Sequence, residues 1–152
     1  MSLMPTPEQW AYAAGIMDGE GSLCMGYESP VDRPSPRWHT EVRFSNTSRA
    51  LIDWFVSLFG GHVYDHHRSG NRQQLWTWKI SARADCRWFL TGILPFLVVK
   101  RRQAELLMEF WSGFDPKAAR KAVPEAEHRR RLDIVTAFRA IKTRKQPCKA
   151  LS

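Results

Sequence analysis

Apolar residues recur along this chain with two periods, and the switches between them lay out its elements. From Pro7 to about Asp18 the spacing is helical, with Trp10 and Tyr12 as early ring contacts and Ile16 and Met17 as core candidates. Thr6 is placed as the N-cap, Pro7 takes the first helical position, and Gln9 completes a capping box. Past Gly21 the period drops to two. Ser22–Ser29 sets Leu23 and Met25 on one face and Cys24 and Gly26 on the other. Pro30–Pro36, with its prolines, Asp32 and Arg33, reads as a long hairpin loop. Trp38–Ser45 returns with Trp38, Thr40, Val42 and Phe44 inward and His39, Glu41, Arg43 and Ser45 outward. Asn46-Thr47-Ser48 signals a second helix, carrying Leu51, Ile52, Phe55, Leu58 and Phe59 and closed by Gly60-Gly61.

A second hairpin follows: His62–Arg68, a turn at Ser69-Gly70-Asn71, then Arg72–Ile80. Val63, Trp76, Trp78 and Ile80 point inward; Tyr64, His66, Arg68, Gln73, Leu75, Thr77 and Lys79 point outward. Three more helical patterns complete the chain. Cys86–Leu94, started by Ser81 or Asp85, carries Phe89, Leu90 and Ile93. Val98–Gly113 carries Val99, Leu106, Leu107, Phe110 and Trp111. A last helix, opened by Pro124 after a linker at Pro116–Ala122, carries Leu132, Val135, Phe138 and Ile141. The order α-β-β-α-β-β-α-α-α predicts an α+β fold: one antiparallel four-stranded sheet with helices on one face and a polar, concave face once the sheet twists. Residues 6–113 are expected to form the core domain, with a basic C-terminal helix and tail, 114–152, packing on or beside it.

At 152 residues and 43% hydrophobic content the chain is long enough for one domain with a real core. No apolar run approaches a membrane span, Met1–Thr6 lacks the features of a signal peptide, and an intracellular protein is expected, cytoplasmic in a bacterium or organellar or nuclear in a eukaryote. Cys24, Cys86 and Cys148 form no close pair, which points to a reducing compartment and away from zinc. His62, His66 and His67 have mixed facing and no Cys or carboxylate company, so they too argue little for a metal. Charge adds more. Up to Pro116, twelve Lys/Arg balance twelve Asp/Glu; from Lys117 onward, eleven face three, so the whole excess of +8 sits in the last stretch. A basic tail on a neutral body reads as a phosphate-binding arm, with a solubilising tail as the alternative.

The most distinctive stretch is Tyr12–Ser22. Three small residues, Ala13, Ala14 and Gly15, allow close backbone approach; then Asp18 and Glu20 alternate with Gly19 and Gly21 at the helix end. Helix C-termini are the partly negative end of the dipole, so acids there oppose stability, and a divalent cation would account for them. Ala13-Ala14-Gly15-Ile16-Met17-Asp18-Gly19-Glu20-Gly21 resembles the nonapeptide of the LAGLIDADG homing endonucleases, departing from it at Ala13 and Glu20. The resemblance implies an αββαββα core, a final acid (Glu20) that ligates magnesium (Mg2+) with the Gly19 carbonyl, and site-specific cleavage of double-stranded DNA. Only one such nonapeptide is present and no internal repeat, whereas cutting both strands takes two hydrolytic sites. The single-motif homodimeric branch is therefore implied, with Ala14, Gly15 and Asp18 at the dimer interface.

In that branch a catalytic lysine follows a Pro-Phe-Leu step, which here is Lys100 after Pro95-Phe96-Leu97, with Arg101 and Arg102 next in line. A polar residue that holds a water at the start of the second helix falls on Ser48. An Arg that some relatives carry one turn later falls on Ile52, which cannot do that work. Outward strand side chains are the candidate DNA readers, since a β-ribbon fits the major groove: Cys24, Gly26, Glu28, His39, Glu41, Arg43, Ser45, Tyr64, His66, Arg68, Gln73, Thr77 and Lys79. Arg101 and the segment Lys142-Thr143-Arg144-Lys145 are candidate phosphate contacts. A non-catalytic DNA-binding regulator and an intron-RNA maturase are the competing functions on the same scaffold.

Overall fold

The computed structural model describes residues 4–28, 37–66, 69–70, 72–113 and 123–144; the side chains of 142–144 lie outside that description. The expected loop at Pro30–Pro36, the linker at Pro116–Ala122, Asn71, Arg68, His67, Lys145 and Cys148 therefore fall outside the described residues.

The elements run α1 (Pro7–Glu20), β1 (Gly21–Glu28), β2 (Arg37–Asn46), α2 (Arg49–Phe59), β3 (His62–His66), β4 (Leu75–Ile80), α3 (Arg83–Ile93), a 3₁₀ turn (Leu94–Phe96), α4 (Arg101–Ser112) and α5 (Glu125–Arg144). The order and the antiparallel sheet match the sequence expectation; the strands lie β1-β2-β4-β3. The register pairs Gly21 with Phe44 at one end of the first hairpin and Glu28 with Arg37 at the other. Val42 faces Ile80 across β2 and β4. Helices cover one face, and the core lies between them and the inward set Leu23, Met25, Val42, Phe44, Trp78 and Ile80.

Each helix end has its own physical cause. The capping box at α1 is present, with the Thr6 amide donating to Gln9 Oε1 (2.8 Å) and the Gln9 amide to Thr6 Oγ1 (3.3 Å). α1 runs to Glu20, two residues beyond expectation, and its C-cap Gly21 is extended (φ −71°) rather than left-handed. Gly21 is required by proximity: a Cβ there would sit 2.6 Å from the Met17 carbonyl oxygen. α2 does end on left-handed glycines, Gly60 (φ 67°) and Gly61 (φ 93°), and the Gly60 carbonyl accepts from Trp78 Nε1 at 2.7 Å. α3 begins at Arg83 with Ala82 as N-cap and no side-chain cap, so neither Ser81 nor Asp85 performs that role.

Aromatic rings fill the core. Phe44 and Phe55 are 4.4 Å apart, and Phe55, Phe59, Trp78 and Phe89 pack edge-on or tilted at 5.0–6.3 Å. α5 joins this core through Ile134, Val135 and Phe138. Its Arg130 donates to the Glu109 and Phe110 carbonyls at the end of α4, and Glu127 accepts from both Arg130 and Arg131 (2.8–3.0 Å). Those bonds hold the Glu127 carboxyl down at about 2, the Arg130 bond contributing most.

Candidate active site and nucleic-acid interface

The end of α1 meets the start of α4. Asp18 turns its carboxylate onto α4: Oδ2 accepts from the Val98 amide (2.8 Å), and Oδ1 from the amides of Val99 (3.1 Å) and Lys100 (2.9 Å). In return Lys100 Nζ donates to the Asp18 backbone carbonyl at 2.7 Å. A carboxylate therefore caps the positive end of one helix while an ammonium caps the negative end of the other. This corrects the reading of Asp18 as an acid that only a cation explains, because local stability accounts for it. α4 consequently starts at Arg101, and Val98 and Val99 are exposed (83% and 53%) in the turn before it rather than Val99 in the core. Arg101 donates to the Leu97 (3.2 Å) and Pro95 (3.1 Å) carbonyls, holding the preceding turn.

Glu20 is exposed at the last position of α1. Its Oε2 accepts from Asn46 Nδ2 at 2.5 Å, and Asn46 Oδ1 accepts from the Ser48 amide at 2.7 Å. Ser48 itself is the N-cap of α2, its Oγ accepting from the Leu51 amide (3.3 Å). The side chain brought against the candidate metal ligand is thus Asn46, while Ser48 caps α2; Ile52 is fully buried. Among the described residues no three His, Cys, Asp or Glu side chains converge as a metal cage. The donor set in this chain is one exposed carboxylate with one oxygen held by an amide, which suits magnesium, an ion that keeps waters and phosphate oxygens around one or two carboxylates.

Helical geometry also sorts the small residues. Ala13, Ala14 and Met17 are fully buried in the core of this chain, whereas Tyr12, Gly15 and Gly19 face outward. A Cβ on Gly15 or Gly19 would meet nothing within 4 Å. Ala14 therefore cannot form part of an exposed interface, and the open face of α1 is Tyr12–Gly15–Gly19.

On the sheet, His39, Arg43, Ser45, Tyr64, His66 and Glu28 stand exposed on the polar face as expected, with Cys24, Glu41 and Lys79 partly covered. Cys24 Sγ lies 3.4 Å from Ser22 Oγ. Two candidate readers are covered. Gly26 is buried under His39, whose Cε1 would lie 2.8 Å from a Cβ there. Thr77 is 7% exposed, bridging Ser45 Oγ (2.6 Å) and His66 Nε2 (2.9 Å). Gln73 is exposed but precedes β4, which starts at Leu75 rather than Arg72. Glu41 forms ion pairs with Arg43 (3.1 Å) and Lys79 (2.6 Å). Lys142, Thr143 and Arg144 form the last turn of α5.

No family model matches the chain, and no curated protein matches it by sequence. Solved structures do. The homing endonuclease I-CvuI, in complex with its target in the presence of calcium, superposes with a TM-score of 0.66 at 17% identity, over 96% of this chain and 87% of that one. I-Vdi141I, an archaeal intron-encoded homing endonuclease complexed with DNA, gives 0.68 at 14% identity, over 95% and 89%. The LAGLIDADG homing endonuclease I-GzeII, in complex with a DNA target, gives 0.59 at 14% identity, over 97% of this chain but 46% of that one. This is the LAGLIDADG homing endonuclease fold.

Within that fold α1 is the LAGLIDADG helix, and its end carries a feature that periodicity did not expose. Asn46 was legible only as part of a helix-start signal. What links it to Glu20 is the β1–β2 register, which lays the end of β2 beside the start of β1.

Proposed function

We propose that the protein is a site-specific double-strand DNA endonuclease, acting as a homodimer on a long, partly palindromic target by metal-dependent phosphodiester hydrolysis. The observation that carries this reading is Glu20, an exposed carboxylate at the end of the LAGLIDADG helix, with the Lys100 ammonium fixed on the same helix end. Glu20 and the Gly19 carbonyl would hold magnesium, which when bound supplies Lewis-acid stabilisation of phosphate charge. Asn46 fixes the Glu20 rotamer; Lys100 places a positive charge where negative charge builds on the phosphate. The polar strand face beside them reads bases, and Arg101 with Lys142, Thr143, Arg144 and Lys145 holds phosphates.

One protomer brings one such carboxylate, so two copies are needed to cut both strands. The exposed face Tyr12–Gly15–Gly19 suits self-packing, since nothing protrudes at the glycines, and the apolar Val98 and Val99 stand exposed beside it. A two-fold dimer across that face brings the two Glu20 groups together and sets one strand saddle on each half-site.

The test is incubation of the full chain with a randomised duplex library and magnesium, followed by sequencing of the ends. Double-strand breaks within a partly palindromic consensus are expected from wild type. Glu20→Gln should retain binding and abolish cleavage. Cleavage by Glu20→Gln at a comparable rate would overturn the assignment. Binding without cleavage by wild type would make the protein a DNA-binding regulator, and binding to structured intron RNA alone a maturase.

A further inference from the structure

The register places Ser22, Arg43, Lys79 and His62 in one row across all four strands on the polar face. Arg43 and Lys79 are therefore directly opposite each other, a like-charge pairing that is unfavourable on a sheet. Glu41, two residues along β2, resolves it by forming an ion pair with each cation, 3.1 Å to Arg43 Nη1 and 2.6 Å to Lys79 Nζ. The two cations cover it, so its side chain is only 17% exposed while Arg43 remains 50% exposed. Lys79 also lies over the Tyr64 ring, 5.8 Å from its centroid.

A carboxylate on a DNA-facing surface weakens phosphate binding, and ion pairs near a protein surface add little to stability. Neither affinity nor fold stability accounts for its position. Its geometric effect is to turn two mobile cations into a braced, partly neutralised set of N–H donors. Such a set is poorly suited to seizing any phosphate and well suited to reading base edges.

We propose that Glu41 is a specificity-determining positioning residue that contacts no base: it holds Arg43 and Lys79 as base readers and suppresses their non-specific grip on the DNA backbone. This rests on the sheet face being the DNA-binding surface. It also departs from the sequence-based expectation that Glu41 is itself a DNA reader.

The test compares wild type, Glu41→Gln, Arg43→Ala/Lys79→Ala and the triple variant, all full length. Each is put through selection from a randomised duplex library, then titrated against an unrelated duplex across a salt series; thermal melts by circular dichroism confirm folding. Glu41→Gln is expected to tighten non-specific binding and steepen the log K against log[salt] slope by about 1 to 2, one or two further phosphate contacts. It should also flatten the selected profile at the base pairs read by Arg43 and Lys79. In the Arg43→Ala/Lys79→Ala background the Glu41 substitution should leave the selected base-pair profile unchanged, the signature of a residue acting through those two. An unchanged profile and slope in Glu41→Gln would overturn the proposal. So would a switch of preference at one base pair that persists without Arg43 and Lys79, which would mean direct reading by Glu41. If wild type itself selects no sequence, it is the DNA-reading assignment of the sheet that fails, and this proposal with it.

Discussion

Asp18 joins the two helix ends that build the site, so removing its carboxylate tests fold and chemistry together. Three amides of Val98–Lys100 lose a charged acceptor in Asp18→Ala. Hydrogen bonds to charged groups are worth about 1.5–3 kcal/mol each when the partner is left buried and unpaired. Val98 and Val99 are exposed, so water replaces the carboxylate at their amides and most of that cost is not felt. What remains is the loss of a helix cap, about 0.5–2 kcal/mol, and of a negative charge at the α4 N-terminus, about 0.3–1 kcal/mol. We expect Asp18→Ala to lose about 2 kcal/mol and Asp18→Asn, which keeps one oxygen acceptor, about 1 kcal/mol, in urea unfolding at pH 7 with unchanged m. A loss of 2 kcal/mol leaves an ordinary domain folded. Single-turnover cleavage of saturated DNA can then be read on native protein. It should fall by about tenfold or more in Asp18→Ala, because the turn that aims Lys100 is released, and be partly restored in Asp18→Asn. A stability change under 0.5 kcal/mol would refute the cap. Full stability loss with unchanged cleavage would refute the link to Lys100.

Other consequences are equally direct. Lys100→Met should slow single-turnover cleavage by roughly 10²-fold with DNA affinity largely kept, the scale of a lost electrostatic or proton-transfer contribution; an unchanged rate would remove Lys100 from the chemistry. Gly15→Leu adds a side chain where nothing in the protomer stands within 4 Å, so the monomer should fold at least as well while sedimentation shows the dimer lost and double-strand cleavage gone. Unaltered sedimentation would place any interface elsewhere. Glu127, held at about 2 chiefly by the Arg130 hydrogen bonds, has a folded pKa below its ordinary 4.5. Its contribution is thus present in full above about pH 4.5 and lost as pH falls toward about 2. After solvent screening this is about 1–2 kcal/mol, and Glu127→Gln should be less stable than wild type by that amount at pH 7, with the gap closing in acid. A constant gap across that range would show that the Glu127 carboxylate adds no stability through its bonds to Arg130 and Arg131 within α5.

The order of elements, the facing of both hairpins and the nonapeptide of the LAGLIDADG helix were all readable along the chain, because periodicity and helix signals are local properties. Trp38, Thr40, Val42 and Phe44 turn inward for no reason beyond the alternation of β2, and Thr6 with Gln9 caps α1 within four residues. What escaped was everything decided between distant segments. Asp18 reads as a misplaced acid until the α4 N-terminus, some eighty residues on, supplies three amides for it. Ala14 and Gly15 are neighbours in a small-residue run, yet the packing of α1 buries one and exposes the other. Asn46 faces Glu20, Thr77 is covered by Ser45 and His66, and Glu41 braces Arg43 and Lys79 only because strand register sets these pairs side by side. Local periodicity determines which face a side chain takes. Which partner it finds there depends on long-range pairing, whose free energy comes from the burial of the shared core and is invisible in any single segment.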